Sequence, residues 1–100
     1  MGYQVVVSRT AHADLGEIVA FIARDNPTAA VRFGRELVAH TRKLENFPQI
    51  GRVVPEFRIE TLRELIHGSY RIVYQINERK KMIEIARFWH GSRGTPQVRG

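Results

Sequence analysis

The chain has no cysteine. That excludes a disulfide framework and a thiolate nucleophile, and it suits a reducing compartment, so a cytoplasmic location is expected. No apolar run approaches the roughly 18 residues that span a bilayer, so no membrane partner is expected. No charged N-terminal segment leads into an apolar core, and no secretory signal is expected. His12, His40, His67 and His90 stand at no metal-ligand spacing, so no metal and no other cofactor is expected. There is no internal repeat and no low-complexity segment.

Acidic groups are also scarce. Ten Asp and Glu face 16 Lys and Arg, a net charge of +6. The excess is uneven: residues 1–51 balance at +1 and residues 52–100 at +5. A one-sided positive field favours an anionic partner: nucleic acid, an acidic protein or a membrane surface.

What remains is ordinary globular composition, 43% apolar and 26% charged over 100 residues. That is enough for one core between two layers. Residues 1–93 read as a single domain. The tail 94–100, with Gly94, Pro96 and Gly100, shows no apolar repeat and is expected to be mobile.

Residues 3–8 are β-branched and read as a strand, with Ser8 as an N-cap. Leu15, Ile18, Val19 and Ile22 then recur at helical spacing and predict a helix over 9–24, with Asp14 off its apolar stripe. Asn26-Pro27 caps a second helix expected to reach Asn46, with Ala30, Phe33, Leu37, Thr41 and Leu44 on its buried face. Gly34 inside it suits a close approach to the first helix. Residues 48–58 read as a loop or irregular strand. Leu62–His67, Tyr70–Ile76 and Met82–His90 read as strands, with Gly68-Ser69 a tight turn. Tyr70, Ile72, Tyr74 and Ile76 suit the helix-packed face, and Arg71 the opposite one. The turn leaves open which face Arg63 takes. The resulting fold is α+β, of order β-α-α-β-β-β, with an N-terminal αα-hairpin on one face of a small antiparallel sheet.

Taken together, Ser8, Asp14-Leu15, Asn26-Pro27, Ala29-Ala30, Phe33, Pro48, Gly51-Arg52, Pro55-Glu56, Arg63-Glu64-Leu65, Tyr70-Arg71-Ile72-Val73-Tyr74 and His90-Gly91-Ser92-Arg93 resemble the RelE/ParE superfamily of toxins from type II toxin–antitoxin systems. The resemblance implies that fold with a basic sheet face, a cognate antitoxin bound as a hetero-oligomer, and growth arrest when the toxin is free. Its ParE-like branch poisons DNA gyrase by binding. Its RelE- and YoeB-like branch cuts messenger RNA on the ribosome and would need a base, an acid and phosphate clamps. Glu56, Arg71 and His90 are the catalytic candidates for that reading, with Arg63, Arg71 and Arg93 as phosphate- or target-binding groups. Gly91 stands where YoeB-like toxins carry an aromatic hydroxyl residue, and the lysine pair of RelE-like loops is missing. Gyrase poisoning is therefore the first expectation, messenger cleavage the second and a non-toxic basic binding module the third. Replacing Arg71 by Ala is expected to spare the fold and weaken toxicity.

Overall fold

The computed structural model describes residues 2–98. β1 (Gln4–Val7) passes through Ser8 into α1 (Arg9–Ala23). Ser8 Oγ accepts from the Ala11 N–H at 3.0 Å, meeting a donor that the helix start leaves without a partner. Asn26 does the same for α2 (Pro27–Arg42), accepting from Ala29 N–H at 3.0 Å, with Pro27 at the first turn. The second helix stops at Arg42, short of the expected Asn46, and tightens into a 3-10 turn at Lys43–Glu45. Gly34 lets the helices meet: a Cβ there would lie 2.9 Å from Val19 Cγ2.

β2 (Arg52–Val53), β3 (Leu62–His67), β4 (Tyr70–Asn77) and β5 (Met82–His90) follow. The five strands form one sheet of order β1-β5-β4-β3-β2. The expectation of an antiparallel sheet needs correction, because β1 pairs with β5 in parallel. The two helices carry the chain from β1 to β2 at the opposite edge, and the antiparallel strands β3, β4 and β5 then return it to lie beside β1.

Both helices lie on one face. Ala11, Ile18, Leu37 and Leu44 pack there on Leu65, Ile72, Tyr74, Ile76, Ile83, Ile85 and Phe88. A smaller cluster of Val54, Leu62 and Val73, with Ala86 and Val98 against it, lies on the other face. Residues 94–98 lie across that second face, where a mobile tail was expected. Pro96 is buried, and Arg87 Nη1 donates to the Gln97 carbonyl at 3.0 Å. An apolar repeat is not needed for this, since two side chains and a few carbonyls hold the segment. Arg99 and Gly100 lie outside the described residues, as does Met1.

Candidate functional site on the helix-free sheet face

A two-residue turn with Gly68 at φ 59° pairs His67 with Tyr70. That pairing settles the register. Leu62, Glu64 and Ile66 share the helix-free face with Arg71, while Arg63 turns the other way. A bulge sets β5: Val73 pairs with Arg87 and Tyr74 with Ile85, leaving Ala86 over. The extra residue shifts the alternation by one, so Arg87 and Trp89 join Arg71 on the helix-free face. His90 pairs with Tyr70 and takes the helix side.

Arg71 anchors the face. Its Nε donates to Glu64 Oε1 at 2.6 Å, and its Nη1 and Nη2 donate to both Glu56 oxygens at 2.8 and 2.6 Å. Its Nη1 also reaches the Gly94 carbonyl at 3.3 Å. Glu64 is 1% exposed and takes a second guanidinium, Arg52 Nε, at 2.7 Å. The hydrogen bonds Arg71 donates hold the Glu56 carboxyl down at about 2, and having Glu56 and Glu64 as acceptors raises the Arg71 guanidinium. A carboxylate so depressed is a poor proton acceptor near neutrality.

Beside this network, Arg87 donates to both oxygens of Asp14 at 2.8 and 2.9 Å. Asp14, read from sequence as lying off the helix stripe, is 8% exposed and also accepts the Phe88 N–H at 3.1 Å. The Asp14 carboxylate raises the Arg87 guanidinium. Trp89 is buried, and its Nε1 donates to the Gly94 carbonyl at 3.1 Å. The guanidinium carbons of Arg93 and Arg87 stand 3.9 and 4.7 Å from its ring centroid. Arg93 is exposed, and among the described residues it has no carboxylate partner. A cleft of about 550 Å³ opens beside the tail, lined by Ser8, Thr10, Phe57, Glu84, Arg87 and Val98 among others.

The sequence candidates therefore separate. Glu56 and Arg71 touch, while Arg93 stacks on Trp89 and lines a cleft with His90, Tyr70 and Asp14. Arg63 is on the helix side at the sheet edge. There it donates to the Glu60 and Gly51 carbonyls at 3.0 and 2.9 Å and pairs with Glu60 at 2.6 Å. Arg63 and Arg71 thus face opposite sides of the sheet. His90 stacks edge-on with Tyr70 at 4.9 Å, and its Nδ1 accepts the Ser92 N–H at 3.1 Å. The sheet stands between it and the Glu56–Arg71 pair, so the three catalytic candidates do not converge. The functional-looking groups the sequence hid are Arg87 and Asp14. Only the bulge at Ala86 turns Arg87 to this side, and no local signal announces it.

The sequence model described as the ParE toxin of type II toxin–antitoxin systems, parDE, matches residues 5–94. Among solved structures, the chromosomal ParDE toxin–antitoxin system of P. aeruginosa is similar. The TM-score is 0.72 at 20% identity, covering 88% of this chain and 95% of that one. The toxin–antitoxin complex RelBE2 of Mycobacterium tuberculosis is similar at TM-score 0.57 and 24% identity, covering 90% and 99%. At these identities the structures show the shared fold. No curated protein sequence matches the chain. Among the described residues, no helix is long and apolar enough to cross a membrane.

Proposed function

Because the chain belongs to the family of ParE toxins of type II toxin–antitoxin systems, we propose that it arrests growth by binding and poisoning DNA gyrase, without chemistry of its own. The supporting observation is the state of Glu56. Its carboxylate is clamped by Arg71, held at about 2, and separated by the sheet from His90. A ribonuclease of this fold needs a competent base and an acid facing the same phosphate. This face instead carries a closed ion-pair network that fixes its shape. Arg93, exposed and stacked on Trp89, is a cation free to meet the target. Arg71 and Arg63 serve it by holding strand and loop in place.

In this reading the protein acts in the cytoplasm and is neutralised by a cognate antitoxin bound as a hetero-oligomer. The net charge of +6 suits an acidic antitoxin segment. The deciding experiment incubates the purified chain with gyrase and plasmid DNA, and in parallel with a translating extract. Gyrase-dependent double-strand cleavage that the antitoxin abolishes is the expected result. Codon-positioned messenger cuts with gyrase unaffected would replace this reading with the nuclease one. Inactivity in both assays would leave a binding module.

A further inference from the structure

Nδ1 of His40, on α2, lies 3.2 Å from Nδ1 of His67, the last residue of β3. Each neutral imidazole carries one donor and one acceptor nitrogen. Two Nδ1 atoms face to face are therefore satisfied either by one shared proton or by one ion that takes both lone pairs. Zinc–imidazole bonds run about 2.0–2.1 Å, and nitrogens this far apart subtend about 103° at such an ion, near the tetrahedral angle.

An ion on Nδ1 needs the proton on Nε2. The Nε2 of His67 faces Glu36 Oε1 at 3.7 Å. A carboxylate behind the far nitrogen is the arrangement that fixes the tautomer and orientation of a metal-binding histidine. Glu36 and His40 stand four residues apart on α2, so they share a helix face. The Phe33 ring meets the His67 ring edge-on at 5.5 Å and limits its rotation. The His67 side chain remains 25% exposed, so an ion can reach it from solvent.

We propose that His40 and His67 form a two-nitrogen site for a borderline divalent cation of the zinc type, tying α2 to the end of β3, with Glu36 as the positioning carboxylate. Among the described residues no group of three or more His, Asp or Glu is placed to hold an ion, so water completes the coordination. Lys43 acts electrostatically on His40 and opposes an added cation, which keeps the affinity moderate. The separation of 27 positions between the two histidines explains why their spacing in the sequence carries no metal signature.

The test uses the untagged full chain. Zn2+ is titrated by calorimetry and by thermal unfolding, and Cu2+ by electron paramagnetic resonance. Expected are one equivalent of Zn2+ bound, a saturable rise in Tm, and a Cu2+ spectrum with two imidazole nitrogens. His40→Gln and His67→Gln should each weaken Zn2+ binding at least about tenfold and remove the two-nitrogen signature, with circular dichroism confirming the fold. Glu36→Gln should weaken binding about tenfold while keeping that signature. Binding that persists in both histidine variants overturns the site. So does a folded wild-type chain that takes up no ion at millimolar Zn2+, which would assign the contact to a shared proton.

Discussion

Arg71 Nε donates to Glu64 Oε1 at 2.6 Å, and that carboxylate is sealed beneath the loop and strands around it. Arg71 is itself a covered residue, its side chain 11% exposed. Cutting it back removes one of the two cations that neutralise Glu64 and leaves Glu56 without its clamp. Breaking a buried ion pair costs about 3–5 kcal/mol when nothing else compensates. Arg52 remains on Glu64, so Arg71→Ala is expected to destabilise by about 3 kcal/mol, measured by urea unfolding. The variant should lose toxicity by losing fold. Full stability with lost toxicity would return Arg71 to direct target contact.

Glu56 gives a pH test with a definite sign. Its folded value of about 2 lies below the ordinary 4.5 because of the hydrogen bonds from Arg71. A depressed carboxylate contributes stability that is whole above its unfolded pKa and lost as pH falls through its folded one. The window is therefore pH 4.5 down to about 2. Wild type should lose stability more steeply than Glu56→Gln across that window, followed by Tm at constant ionic strength. Equal slopes would show that the clamp is absent in solution. Toxicity of Glu56→Gln should track its stability alone, and a larger loss would restore Glu56 as a base.

The turn after α2 is pinned by Tyr74. Its hydroxyl donates to the Pro48 carbonyl at 2.8 Å and accepts the Gly51 N–H at 3.0 Å. Tyr74→Phe strips both partners inside the core, a cost of about 1–3 kcal/mol by denaturant titration. Gly51→Ala should cost at least as much, because its Cβ would stand 2.5 Å from the Glu64 carbonyl and 2.6 Å from the Tyr74 hydroxyl. The two changes disturb one contact, so the double variant should fall short of their sum. Strict additivity would mean that the loop is held elsewhere.

Local chemistry made much of this fold legible. Ser8, Asn26 and Pro27 mark the helix starts. The alternation of Tyr70, Ile72, Tyr74 and Ile76 marks the core face of β4, and Gly68-Ser69 marks the hairpin. The pairing of β1 with β5 was not legible, because Val5 meets Ile83 across most of the chain and nothing near either residue encodes it. The arrangement of the candidate site was hidden for a related reason. Strand alternation projected over β5 assigns faces correctly only up to Ala86, where one extra residue turns Arg87 and Trp89 to the side of Arg71. Charge counting could not show that Arg71 spends its donors on Glu56, Glu64 and Gly94. Cationic composition announced an anionic visitor, but part of that charge neutralises the protein's own carboxylates.

The tail offers a final separation of structure from surface. A chain ending at Gly94 keeps an oxygen near Arg71 and Trp89 but loses the Gln97 carbonyl that Arg87 holds, the buried Pro96, and the cover that Val98 gives Val54, Leu62 and Val73. One hydrogen bond, a buried proline and a partly buried valine together are worth about 3 kcal/mol. Truncation should lower stability by that amount and raise amide exchange at Val73 and Arg87, measured by hydrogen exchange. Asp14 should hold Arg87 in place even so, since both of its bonds to that guanidinium survive. Unchanged exchange at Val73 and unchanged stability would mean that residues 95–98 do not cover the sheet in solution. The 550 Å³ cleft they help to line would then be open to a partner from the start.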